Sequence, residues 1–160
     1  MDGRQEQTPA EVWLSREGAT AGFAPAEGFC CTAFRVHSGG EWWPVLAEPP
    51  SWDALRARPA YYGNPLLFPY PFDVIGGAFT YRGRRYDLRP GRTGITRHGL
   101  VRDYAWGGAR TWRDEVGEHV SASIVTAASP AMLAEFPFPF RLTVTYTLAE
   151  AGLALAAEVT

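Results

Sequence analysis

Three histidines, two adjacent cysteines and a set of basic residues made entirely of arginine are the groups here whose types could do chemistry. His98 stands apart from the other histidines. It lies in Arg97-His-Gly-Leu-Val-Arg102, followed by Asp103-Tyr-Ala-Trp106, and the glycine after it lets backbone or a ligand approach closely on one side. An imidazole with a pKa of about 6.5 can hydrogen-bond or pass a proton near neutrality. His37, beside Ser38-Gly39-Gly40, and His119, opening an ordinary strand, read as solvated surface residues. Cys30 and Cys31 are neighbours on a strand and point to opposite faces, so they are badly placed to pair. Without a spaced Cys or His set they make no zinc site. They read as small hydrophobic residues of a protein in a reducing compartment.

All 15 basic residues are Arg, which excludes Schiff-base and P-loop lysine chemistry. Arg82, Arg84, Arg85, Arg89, Arg92, Arg97 and Arg102 crowd one stretch. Guanidinium binds phosphate bidentately, so this run reads either as an anion clamp or as a solvated hairpin face. A net charge of −2, a pI near 5.9 and the lack of interleaved aromatics argue against nucleic acid as a partner.

The elements that must position these groups are strands. In the run from Arg141 to Leu148, Leu142, Val144, Tyr146 and Leu148 share one face, and Arg141, Thr143, Thr145 and Thr147 share the other. After a turn at 149–152, Leu153, Leu155, Ala157 and Val159 fall together, so the two segments form an antiparallel hairpin. Further strands are expected at 12–15, 19–24, 29–36, 42–46, 78–81, 84–88, 110–114 and 119–126. Two short helices are expected, Trp52–Arg58 capped by Ser51 and Pro130–Glu135 opened by Ser129 and its following proline. Residues 61–78, with Pro65, Pro69 and Pro71, form a stiff aromatic segment that packs an end of the fold or lines a pocket. The 160 residues hold 46% hydrophobic residues and 14% aromatics, enough to build a core and exclude disorder. No apolar run is long enough to span a membrane, and the polar start is unlike a signal peptide. The reading is one all-β antiparallel sandwich, soluble and cytoplasmic.

Several motifs then follow one another in a telling order. These are Gly63-Asn-Pro-Leu-Leu-Phe-Pro69, Pro71-Phe-Asp-Val-Ile75, Gly77-Ala-Phe-Thr-Tyr-Arg-Gly83, Tyr86-Asp-Leu88 and His98-Gly-Leu-Val-Arg102, with Phe136-Pro-Phe-Pro-Phe140 and its hairpin behind them. The set resembles the aldose 1-epimerases, or galactose mutarotases. The resemblance implies a β-supersandwich that binds a free sugar in an open cleft and interconverts its anomers with no metal or organic cofactor. In that family a carboxylate takes the anomeric proton while a histidine protonates the ring oxygen. His98 matches the first of the family's two active-site histidines and is the expected catalytic residue. Asp73, Arg97, Arg102 and Trp106 are its expected sugar-binding neighbours, with Arg102 and Trp106 shaping the loop.

Two departures from the family pattern matter. Where many members carry Asn-Arg after Pro-x-Pro, this chain has Phe72-Asp73, which turns donors into acceptors. The family's second histidine, its sugar-binding Asp and its catalytic Glu lie in a C-terminal half with no counterpart here. The chain is therefore expected to be a single N-terminal half, incomplete at its C-terminus. Its exposed strand edges would then favour self-association. The expected ligand is a monosaccharide, an aldohexose first and a hexose 6-phosphate second. A non-catalytic carbohydrate-binding sandwich is the alternative reading.

Overall fold

Residues 11–88 and 96–160 are described by a computed structural model. The alternation at 141–148 becomes β11 (Arg141–Ala149), with Leu142, Val144, Tyr146 and Leu148 all buried and the threonines on the other face. It pairs antiparallel with β10 (Gly117–Val125) on one side and β12 (Gly152–Val159) on the other, and β9 (Gly107–Arg113) closes the sheet in the order β12-β11-β10-β9. The first half of the chain builds a second antiparallel meander, β1 (Val12–Arg16), β2 (Ala19–Ala24), β3 (Cys30–Ser38) and β4 (Glu41–Pro44).

Residues of both sheets share one core. Leu14, Ala21, Phe23 and Cys31 come from the first, and Val120, Ala122, Ile124 and the apolar face of β11 from the second. Tyr146 joins the two. Its ring lies 4.6 Å from Phe23 and 5.4 Å from Phe29, edge-on to the latter. Such aromatic pairs add about 0.5–1.5 kcal/mol to the burial itself. A polar staple crosses the same seam, where the Ser15 N–H donates to Glu118 at 2.6 Å across 103 residues of sequence.

The helices form where their caps are. Ser51 accepts from the Ala54 N–H at 3.1 Å to open α1 (Trp52–Ala57), and Ser129 accepts from the Met132 N–H at 3.3 Å to open α2 (Pro130–Glu135). Each is six residues long, so the architecture is the expected antiparallel β fold. No helix among the described residues is long and apolar enough to cross a membrane. Four short strands are set apart from the two sheets. β6 (Ala78–Tyr81) and β7 (Arg84–Asp87) form the expected hairpin, while β5 (Asp73–Val74) pairs with β8 (Thr96–Arg97).

The hairpin partner β12 is as expected, and one expectation, for His119, is corrected. The apolar residues of β12 do face the same way as those of β11, by the register Leu148↔Leu153, Tyr146↔Leu155 and Leu142↔Val159. Yet Leu155 and Val159 are 44% and 51% exposed, because β12 is the outermost strand. His119 is not a solvated residue. It is 6% exposed, stacked flat on Trp112 at 4.7 Å, and hydrogen-bonded to Thr147 through Nδ1 and to Asp114 through Nε2, each at 2.9 Å. That bond and two backbone N–H donors hold the Asp114 carboxyl below its ordinary range.

The cysteines are buried on both sides of β3. Cys31 enters the core, and Cys30 is roofed by residues 62–64, donating to the Tyr62 carbonyl at 3.8 Å while Asn64 N–H donates to Cys31 O at 2.8 Å. Burial pushes both thiols up to about 12. A folded pKa raised above the unfolded one means their contribution is complete below the ordinary thiol range and is lost as pH climbs toward 12. A thiol reagent at pH 8 is expected to label neither cysteine of the native chain, and both once denaturant unfolds it. Fast labelling without denaturant would contradict this burial.

Candidate functional site

His98 is positioned by a stitch between two segments far apart in sequence. The proline-stiffened stretch 68–73, with a cis bond between Phe68 and Pro69, runs beside 96–101. The Phe68 carbonyl accepts from both Leu100 N–H at 2.9 Å and Val101 N–H at 3.3 Å, and the Phe72 carbonyl accepts from His98 N–H at 3.4 Å. Between these bonds the chain must turn sharply. His98 and Gly99 do this in consecutive left-handed conformations, φ 65° and 67°. For His98 that conformation costs about 1–2 kcal/mol, held in place by the surrounding bonds. At Gly99 no other residue fits, since a Cβ there would lie 2.1 Å from the Phe68 carbonyl oxygen.

The turn aims the imidazole back over the segment it is stitched to. Nδ1 lies 3.0 Å from the Pro71 carbonyl oxygen. A carbonyl only accepts, so Nδ1 carries the proton, and Nε2 is the nitrogen available to a ligand. Neutral, it accepts; as imidazolium, it donates. The residue is half-buried.

The other expected site residues fall into two groups. Asp73 and Arg97 face each other across β5 and β8 and pair through two contacts, Nε to Oδ1 and Nη2 to Oδ2, each at 3.2 Å. They flank His98 as one neutral unit rather than as separate charges. Arg102 and Trp106 belong to the support beneath. The Arg102 side chain is 12% exposed and bonds Asp103 at 3.2 Å. Trp106 is 0% exposed, donates from Nε1 to the Val101 carbonyl at 3.0 Å, and packs on Phe29 at 5.6 Å. A ring with no exposed surface cannot stack on a sugar, so Trp106 is corrected from a binding residue to a core residue that anchors the His98 loop. The described arginines of the run do not converge on one point either. Arg82 and Arg84 lie over Tyr81 and Tyr86, and Arg85 pairs with Asp87 at 3.0 Å. Arg89 and Arg92 lie outside the described residues.

The segment that carries His98's carbonyl partner also walls an apolar hollow of about 430 Å³, between Pro69, Tyr70 and Val74 on one side and Phe79, Phe136 and Phe138 on the other. Phe79 stacks on Tyr86 at 5.3 Å, and Phe138 meets both rings. The proline-stiffened segment 61–78, expected to pack an end of the fold or line a pocket, supplies Pro69, Tyr70 and Val74 to this hollow. Phe136 and Phe138 were not site candidates from sequence.

A sequence model of the aldose 1-epimerase family matches residues 28–160. The chain belongs to that family. A search of curated proteins finds no match. Solved structures agree on the fold of this family member. A galactose mutarotase-like protein from Clostridium acetobutylicum superposes with a TM-score of 0.79 at 19% identity, over 93% of this chain and 45% of its own. A Synechocystis protein gives 0.72 at 23%, over 96% and 49%. Galactose 1-epimerase from Lactobacillus acidophilus gives 0.75 at 16%, over 99% and 46%. This epimerase-family chain thus spans just under half the length of each.

Proposed function

We propose that this chain carries the ring-oxygen side of an aldose 1-epimerase site, with His98 as the acid. The observation that supports this most is the Nδ1–Pro71 bond, which fixes the tautomer and leaves Nε2 to meet the substrate. As imidazolium, His98 donates its Nε2 proton to the ring oxygen of an aldohexose while a base takes the proton from the anomeric hydroxyl. The C1–O5 bond breaks and the open aldehyde rotates about C1–C2. On closure the O5 hydroxyl returns its proton to His98 while the protonated base gives its proton to the carbonyl oxygen, delivering the other anomer. No residue of this chain matches the family's catalytic carboxylate. We place that base in a segment corresponding to the part of the relatives this chain does not span, seated against the apolar strip Leu155–Val159. The chain alone is then expected to self-associate through that strip.

Polarimetry on freshly dissolved α-D-glucose, run beside size-exclusion chromatography, tests this. The 160 residues alone are expected to leave the spontaneous rate unchanged and to elute as oligomers. A monodisperse monomer that accelerates mutarotation, and loses the acceleration in His98→Gln, would overturn the placement of the base.

The Asp73–Arg97 pair bears on the substrate. With Arg97 already held by two carboxylate contacts, a phosphate would have to displace Asp73 or meet its negative charge. An unmodified aldohexose is the reading this favours. Calorimetric titration is expected to show glucose 6-phosphate binding no tighter than glucose. Tighter binding of the phosphate that disappears in Arg97→Ala would reverse the order.

A further inference from the structure

The outward face of the first sheet has a cluster of features that the epimerase reading leaves unused. Register places Trp13, Gly22 and Ala33 in one row, Arg35 and Pro44 in the next, and His37 and Trp42 in the third. Two adjoining hollows open there, one of about 230 Å³ between Trp13 and Trp52 and one of about 560 Å³ beside Trp42 and Pro44. Both are lined by Arg35 and Glu48, so that pair stands at their junction. Trp13, Trp42 and Trp52 are 45%, 50% and 37% exposed. Single exposed aromatics are ordinary, whereas three on one concave face mark a surface that binds something.

Each ring is braced. The Trp13 indole lies flat on Gly22, where a Cβ would come within 2.9 Å of Cη2 and Cζ2. Gly22 sits inside a strand with no left-handed φ to require glycine, so its bare Cα serves the indole. The Arg35 guanidinium lies 5.7 Å from the Trp13 ring centre. Trp42 leans on His37 at 5.3 Å, and Trp52 is the first residue of α1, set by the Ser51 cap. Side chains fixed in this way lose little entropy when a ligand arrives.

The polar centre narrows the ligand. Arg35 binds Glu48 through Nε at 2.6 Å and Nη2 at 2.5 Å, which holds the Glu48 carboxyl below its ordinary range and charged. The pair is neutral as a unit, and Glu11, which also lines the first hollow and attracts Arg35, adds a carboxylate that disfavours an anion. The Arg35–Glu48 pair keeps further N–H donors and carboxylate lone pairs side by side. A group that both donates and accepts at adjacent positions is a vicinal diol. A ligand with diols along its rim and flat C–H faces for indoles is a pyranose, and two joined hollows suit consecutive rings.

We propose that this face is a second carbohydrate site, one that takes successive rings of a neutral oligosaccharide on Trp13, Trp52 and Trp42 about the Arg35–Glu48 pair. It shares no residue with the His98 loop. A proline-rich peptide is the competing occupant for an aromatic groove, but its rings carry no hydroxyl to engage Glu48.

The test is titration of the 160-residue chain with maltoheptaose and cellohexaose, following the indole N–H signals by NMR. At least one of the two is expected to shift the Trp13, Trp42 and Trp52 signals and to bind about tenfold or more tighter than glucose, equivalent to ~1.4 kcal/mol. Trp13→Ala and Glu48→Gln are expected to weaken binding about as much. Gly22→Ala should do the same with every tryptophan still present, by lifting the platform. His98→Gln should leave it unchanged, which separates this site from the epimerase reading. Silence with both oligosaccharides, loss of binding in His98→Gln, or movement of these signals by a proline decapeptide alone would each overturn the proposal.

Discussion

Trp106→Ala is expected to lower the stability of the folded chain by about 3–5 kcal/mol, the range for removing a large buried aromatic. That approaches the whole margin of a domain this size, about 5–15 kcal/mol. The ring is fully enclosed, packs at a tilt against Phe29, and supplies the indole N–H that the Val101 carbonyl accepts. Its loss therefore leaves both a cavity and a buried carbonyl short of a donor. Trp106→Phe separates the two, keeping most of the volume and costing about 1–3 kcal/mol for the unmet carbonyl. Urea unfolding followed by circular dichroism measures both variants. A Trp106→Ala midpoint close to that of the parent would mean that the loop does not depend on this anchor.

His98→Gln is expected to reduce mutarotation by about 10²–10⁴-fold in an assembly that contains the carboxylate base. Glutamine keeps a side-chain donor and similar length but cannot cycle a proton near neutrality, so the loss should appear in kcat more than in KM. Gly99→Ala is the companion variant. It leaves the imidazole intact and drives a Cβ into the Phe68 carbonyl, so the turn that aims His98 must open. Its rate should fall as well, although the imidazole itself is unchanged. Equal activity in His98→Gln and parent would remove His98 from the chemistry.

How far the residues announced this arrangement depends on which kind of contact is involved. Period-2 alternation identified β11, because each apolar residue sits over a filled core and each threonine faces out. The caps were equally legible, since Ser51 and Ser129 act on N–H groups three residues away. Alternation reports the face of a strand and not how far each residue is covered. It placed β12, whose exposed edge was expected from its position at the end of the hairpin, but gave no measure of the exposure of Leu155 and Val159. Strands of two residues are too short to show a period, so β5 and β8 were invisible, and with them the pairing of Asp73 and Arg97. Trp106 and His119 failed for a related reason. A Trp just before a Gly pair and a His at a strand's start carry no local sign that Phe29, or Thr147 and Asp114, will enclose them. The partner that orients His98 is a backbone carbonyl, for which no side-chain identity can speak.

The two sheets are each knitted from neighbours in the chain, β1 to β4 in order and β9 to β12 in order. Hairpins of this kind close short loops and form within microseconds, whereas bringing the sheets together waits on a long excursion of chain. The expected order of events is thus two meanders assembling independently, followed by their docking as the slow step. The Glu118–Ser15 staple and the Tyr146 ring, which link residues more than a hundred positions apart, would then form in that slow step. Weakening them should slow refolding as well as hasten unfolding, whereas weakening contacts inside one meander should leave the docking rate less affected.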